Sequence, residues 1–337
     1  MRFFGKNVTL NHRKSKCLKD SYKSSIWKLE IRIEQQSLPI ILKISKPLRE
    51  KRPESIIEKN IYRRAKKVMQ PFMPQIYMTK KNVNGRDLWV FMEYIEAIKG
   101  RVQYNPEHFS QIIPTLARLH ASTMGERMKR HERLFANWMP RYDSKEMIEE
   151  RKRINKETLD YLDKAMKVSS LKTMLSPHYD RLRRLLKKGP EYFPEVMHSG
   201  MSIVHGDLHT ANMACHRVNE KEWKLKLIDW EGAKIAPCWY DLVNLIGIFL
   251  AYRREWKEEE EQITRRSVQL YAEEMRKNGV LFDMDPVKLY QMAYLQRILQ
   301  RSLYLQLNWA VTGKKEAKLL PVLLEKARDL SKKLGLD

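Results

Sequence analysis

Between positions 203 and 231 the chain reads Ile203-Val204-His205-Gly206-Asp207-Leu208-His209-Thr210-Ala211-Asn212-Met213 and then Leu227-Ile228-Asp229-Trp230-Glu231. An acid, an amide five residues later and a second acid closing a short apolar run make up the set that phosphoryl transfer from a magnesium nucleotide requires. One carboxylate can accept or orient the proton of an attacking hydroxyl. The amide oxygen and the other carboxylate are hard oxygen ligands of the kind magnesium prefers. Short strands are predicted at 202–204 and 224–228, and they would bring both carboxylates to one edge of a hairpin.

Such a site needs elements that hold the nucleotide, and the first hundred residues supply candidates. Residues 25–44 alternate apolar and polar side chains and break at Gln35-Gln36-Ser37, which predicts two antiparallel strands. After Pro53, Ile57, Ile61 and Ala65 recur at i, i+4 and i+8, the stripe of one amphipathic helix. Strands at 76–78 and 88–92, joined by an Asn84-Gly85 turn, complete a small sheet. Lys43 within an apolar strand and Glu58 on the next helix can pair to position phosphates. Phe91-Met92-Glu93-Tyr94-Ile95 runs from a strand into an extended connection, where backbone groups can hold an adenine.

Beyond Glu96 the pattern turns helical, with long periodic stretches at 109–124, 144–167 and 178–188 and few strands. Single cores stop growing at roughly 250–300 residues. A chain of 337 residues therefore favours two modules. The expected organisation is α+β: a nucleotide-binding lobe at 1–92, a hinge at 93–96, and a larger, mainly helical lobe at 97–337 with a helical insert near 140–190.

The order and spacing of these residues resemble the aminoglycoside phosphotransferase and choline kinase superfamily, including its spore-coat kinase-like branch. The resemblance covers roughly residues 20–250. It is strongest at His205-Gly206-Asp207-Leu208-His209 with Asn212 and at Ile228-Asp229-Trp230-Glu231, and extends to Leu116-Ala117-Arg118-Leu119-His120 and Tyr240-Asp241-Leu242. It implies the two-lobed protein-kinase-like fold and ATP- or GTP-dependent transfer of a phosphate to the hydroxyl of a small molecule. The acceptor would be an aminoglycoside, sugar, amino alcohol or related metabolite. By this similarity Asp207 is the catalytic base, buttressed by His205, and Asn212 and Asp229 hold Mg2+. Lys43 contacts the phosphates, Glu58 orients Lys43, and Asp241 braces the catalytic loop. Met92, Glu93, Tyr94 and Ile95 line the nucleotide, while Trp230 and Glu231 are candidate substrate contacts. No Gly-x-Gly-x-x-Gly precedes Lys43; the segment 19–25, with Ser24 and Ser25, offers backbone amides and hydroxyls to the phosphates instead. The alternative is a kinase-fold structural or binding protein with little or no turnover.

Composition bounds the rest. Lys and Arg total 65 against 41 Asp and Glu, a formal net charge of +24, which leaves an anionic surface partner open. The excess lies in residues 1–100 (23 basic, 9 acidic) and 151–200 (12 basic, 6 acidic), whereas 201–300 is near balance (14 basic, 15 acidic). No nucleic-acid reading motif accompanies it, so a nucleic-acid partner is not expected. Cys17, Cys215 and Cys238 fit neither a disulfide framework nor zinc spacing, even with His209 and His216 near Cys215. The apolar run 242–252 is too short for a membrane span and no secretory signal is read at the start; the expected location is cytoplasmic. Trp223, Trp230, Trp239 and Tyr240 suit a core better than a cage for a cation.

Overall fold

A computed structural model describes residues 2–3, 6–46, 53–81, 88–220 and 222–336. Among these, β1 (Arg2–Phe3), β2 (Lys6–Asp20), β3 (Ser24–Ile33), β4 (Gln36–Ser45), β5 (Ile76–Lys81) and β6 (Leu88–Glu93) form one antiparallel sheet in the order β1-β2-β3-β4-β6-β5. The β3–β4 hairpin follows the predicted alternation, but its turn is Glu34-Gln35, one residue earlier than expected. Glu34 takes a left-handed φ of 57° there. The Asn84-Gly85 turn lies outside the described residues. β2 has no counterpart in the sequence reading, because its run of Lys, Arg and His hides any apolar alternation.

Adjacent strand residues point to opposite faces. Ile31, Ile40, Leu42 and Phe91 gather on one face as a buried cluster, with Leu29, Ile33 and Ile44 packed against it. Lys43, next to Leu42, therefore turns the other way. The helix Pro53–Arg63 buries Ile57 and Ile61 as its stripe predicts, and it also buries Glu58 and Tyr62.

The chain divides into two compact units. The first holds residues 1–104, 132–138 and 210–233, and the second 105–131, 139–209 and 234–337. Outside the large sheet, β7 (Met201–Val204), β8 (Met213–Cys215), β9 (Leu225–Leu227) and β10 (Lys234–Pro237) form two ribbons, β8 with β9 and β7 with β10. The expected hairpin of 202–204 with 224–228 is thus corrected. Each strand has a different partner, and those partners, three and four residues long, are too short to give a periodic signal. Asp207 follows one ribbon and Asp229 the other.

The second unit is mainly helical. Helix Lys145–Ala165 starts at Ser144, whose hydroxyl accepts the N–H of Met147 at 3.3 Å. Helix Pro286–Arg297 runs through a π-helical turn, Ile298–Ser302, into helix Leu303–Thr312. Two buried glutamines fix this long element: Gln296 Nε2 donates to Tyr240 Oη at 2.7 Å, and Gln300 Nε2 donates to Tyr142 Oη at 2.8 Å and to the Pro190 carbonyl at 2.7 Å. The segment before helix Lys145–Ala165 joins β10 through Ile235 N–H to Pro140 O and Tyr142 N–H to Ile235 O, both 2.8 Å. The apolar run 242–252 is helical, and among the described residues no helix is long and apolar enough to cross a membrane.

Phe91→Ala removes the largest ring of the buried cluster beneath β4. Large-to-small changes of this kind cost about 3–5 kcal/mol, so the sheet should unfold at a clearly lower urea concentration, measured by the fluorescence of Trp89 beside it.

Candidate active site

Lys43 sits in the middle of β4, paired with Ile26 of β3 and Val90 of β6. Its Nζ lies 2.7 Å from Glu58 Oε1 and 2.9 Å from Asp229 Oδ1. Glu58 and Tyr62 are one helical turn apart, and the Tyr62 hydroxyl donates to Glu58 Oε1 at 2.8 Å. Burial alone would lower the pKa of Lys43, but Glu58 and then Asp229 outweigh it and raise it above the ordinary lysine value. Lys43 is a fixed cation, aimed by Glu58 and shared with Asp229.

Asp229 adopts a left-handed conformation, φ 65° and ψ 59°, at the start of the turn Trp230–Gly232. Short polar Asp tolerates this region better than most residues, and such strain gathers at functional positions. Its neighbour Trp230 is fully buried and donates Nε1–H to Leu227 O at 3.0 Å, which pins the strained residue. Trp230 therefore packs in the interior. Glu231 lies 3.4 Å from Lys23 Nζ and ties this turn to the β2–β3 connection. One residue before Asp229, Ile228 N–H donates to Asn212 O at 3.0 Å, and Met213 pairs with Leu227. The β8–β9 ribbon thus brings the buried Asn212 and the partly exposed Asp229 onto neighbouring stretches of backbone.

The connection after β6 packs against the same ribbon. Ala97 bridges Ala214, Cys215 N–H donates to Glu96 O at 3.1 Å, and Ile98 N–H to Met213 O at 3.0 Å. Met92 is buried within β6, and the Glu93 carboxylate is engaged by Gln75 N–H and His216 Nε2, both at 2.9 Å. Lys28 lies over the Tyr94 ring at 4.1 Å. Ile95 continues the extended segment. In the β2–β3 connection Ser24 N–H donates to Ser21 Oγ at 3.1 Å, and Ser25 Oγ donates to Asp20 Oδ1. Lys46 Nζ also reaches Asp20 and the Ser21 carbonyl, so a charged clasp shapes this turn in place of glycines.

Asp207 belongs to the second unit, on the loop that leaves β7. Its side chain is 65% exposed and lies 3.5 Å from His209 Nε2, a neighbour the sequence reading left unassigned. The loop is braced from within. Asp241 accepts the N–H of His205 at 2.6 Å and of Gly206 at 2.9 Å, and Asn244 Nδ2 donates to Gly206 O at 3.2 Å. His205 and Asp241 are buried, with His120 Nε2 3.3 Å from Asp241 Oδ2. His120 closes the stretch 116–120 that carries part of the family resemblance, though its contact with Asp241 was not read from it, and Asn244 sits in an ordinary helical pattern.

The model of the Phosphotransferase enzyme family matches residues 29–277, nearly three quarters of the 337 residues. The chain belongs to that family. No curated protein sequence matches this phosphotransferase. Solved structures similar to it include Plasmodium vivax ethanolamine kinase, at 13% identity over 96% of this chain and 84% of that one, TM-score 0.55. A GDP complex of aminoglycoside 2'-phosphotransferase-IIIa is 13% identical over 97% and 94% of the chains, TM-score 0.51. A microcompartment-associated aminopropanol kinase is 14% identical over 96% and 90%, TM-score 0.51. At these identities the likeness gives the fold: α+β and kinase-like, with an antiparallel sheet and a mostly helical remainder.

Within the phosphotransferase the four aromatics Trp223, Trp230, Trp239 and Tyr240 are all buried and form no cation cage. Among the described residues no group of three or more His, Cys, Asp or Glu could hold a metal. The donor pair of Asn212 and Asp229 fits a hard cation that takes its remaining oxygens from phosphates and water.

Burial alone would raise the pKa of Asp241, but the hydrogen bond and charge of His120, and then His205, hold it below the ordinary carboxylate value. A carboxylate lowered on folding contributes stability that is present above its unfolded pKa of about 3.9 and is lost as the pH falls through the folded value. Asp241→Asn should therefore destabilise the protein by about 2 kcal/mol or more at pH 7. The deficit should shrink below pH of about 4, as followed by denaturant titration across pH.

Proposed function

We propose that the chain transfers the γ-phosphate of ATP or GTP to the hydroxyl of a small molecule. The observation that carries this reading is the fixed Lys43 ammonium held by Glu58 and Asp229 in one unit, together with an exposed, backbone-braced Asp207 in the other. Lys43 would take the nucleotide phosphates and Glu58 keep it aimed. The connection at 92–95 would hold the base, and the turn carrying Ser24 and Ser25 would cover the phosphates with N–H groups. Asn212 and Asp229 would hold Mg2+, which would supply positive charge against the phosphates.

Asp207 would accept the acceptor's hydroxyl proton. A bond forms between that oxygen and the γ-phosphorus, the bond from this phosphorus to the β–γ bridging oxygen breaks, and the nucleoside diphosphate leaves with the electron pair. Asp241, through the His205 and Gly206 amides, would keep the loop in place so that Asp207 needs no reorganisation. A similar structure is a complex with GDP and kanamycin. It motivates a substrate panel without choosing its member.

Asp207→Asn should lower kcat by about 10²–10⁴, the usual worth of a general base, on any accepted alcohol. The thermal stabilisation given by magnesium and ATP should persist. Asp229→Asn should instead abolish most of that stabilisation. Robust turnover by the Asp207 variant would remove it as the base; no nucleotide response in the parent would point to the structural-protein alternative.

A further inference from the structure

A second charged cluster lies in the same unit as Asp207 and has no role in the reading above. Lys234 opens β10 and pairs with Val204, the residue before His205, so it stands on the ribbon from which the Asp207 loop leaves. Arg297 closes helix Pro286–Arg297, with its guanidinium 5.0 Å from the centroid of the Tyr240 ring, beside loop-bracing Asp241. Arg301 follows within the π-helical turn Ile298–Ser302, a feature frequent at functional sites. Gln296 and Gln300, bonded to Tyr240, Tyr142 and Pro190, hold the helix that carries both arginines.

Among the described residues none of the three cations has a carboxylate within ion-pairing distance, although Lys234 and Arg297 are half-buried. Like charges gathered without an ion-pairing partner are unfavourable. The strain registers at Lys234: burial, then Arg297 and Arg301, push its ammonium down to about 8, and the smaller opposing effects of Glu150 and Asp241 do not offset this. Arg301 is exposed, so the cluster opens to solvent. Two guanidiniums beside an ammonium match the geometry of a carboxylate or phosphate. The acidic run 258–261 makes no counterpart for a cationic acceptor, since Glu260 and Glu261 are in ion pairs with Lys326 and Lys333.

We propose that Lys234, Arg297 and Arg301 bind an oxyanion carried by the acceptor alcohol, so that the substrate is an anionic hydroxy compound rather than an amino alcohol or aminoglycoside. The role as acceptor site rests on the phosphotransferase reading; the anion site itself does not. The test is thermal shift on the full chain at constant ionic strength with glycerate, glycerol 3-phosphate, glycerol and ethanolamine, the first two separating carboxylate from phosphate. At least one anion should stabilise the protein where glycerol and ethanolamine do not. Its apparent affinity should fall about tenfold in Arg301→Gln, the order of one lost charge-assisted contact, and further in Lys234→Met. Arg301 is exposed, so that variant keeps the test valid if Lys234→Met does not fold. Equal shifts for all four compounds, or unchanged anion affinity in Arg301→Gln and Arg297→Gln, would overturn the inference. Transfer from ATP to cationic or neutral alcohols alone also overturns it while sparing the phosphotransferase reading. Anion binding that depends on Arg301 in a protein with no magnesium–ATP response keeps the site and removes that reading instead.

Discussion

One ammonium between two carboxylates organises the first unit. Lys43 Nζ reaches a strand-facing helix through Glu58 and the β8–β9 ribbon through Asp229, so three separate stretches of chain meet at a single atom. Taking a lysine out of water is unfavourable unless its charge is matched. Two partners fix its position more narrowly than one. The group of three keeps a surplus negative charge, which suits the divalent cation proposed for it. The left-handed Asp229, held by the buried indole of Trp230, shows that the local backbone yields to this arrangement.

The second unit solves a different problem. Asp207 is exposed, yet its loop is held. The restraint is buried instead: Asp241, wholly enclosed with His120, grips two consecutive amides of the loop, while Asp207 itself stays in solvent.

Much of this was legible in the sequence because it rests on spacing. The alternation at 25–44, the Ile57–Ile61–Ala65 stripe and the paired chemistry of Lys43 with Glu58 are short-range patterns that the fold preserves. Partnerships at long range were not legible. β10 is four residues long and β8 three, so neither leaves a period to read, and the hairpin inferred between 202–204 and 224–228 divided into two ribbons with other partners. β2 was hidden by its charges. The convergence of Lys234 with Arg297 and Arg301, over sixty residues apart, depends on a helix anchored by glutamines whose role only the folded contacts reveal.

The same charges that hide β2 have a use. Among the described residues β2 is 15 residues long and pairs with β3 over 8–11 and, past an irregularity, over 16–20, while β1 covers its far side only at Lys6 and Asn7. A bare strand edge is a template for another chain to add to. Arg13, Lys14, Lys16 and Lys19 stud it with exposed cations, so a second copy approaching edge to edge meets like charge. Part of the chain's positive excess thus guards a sheet margin against aggregation, quite apart from any ligand.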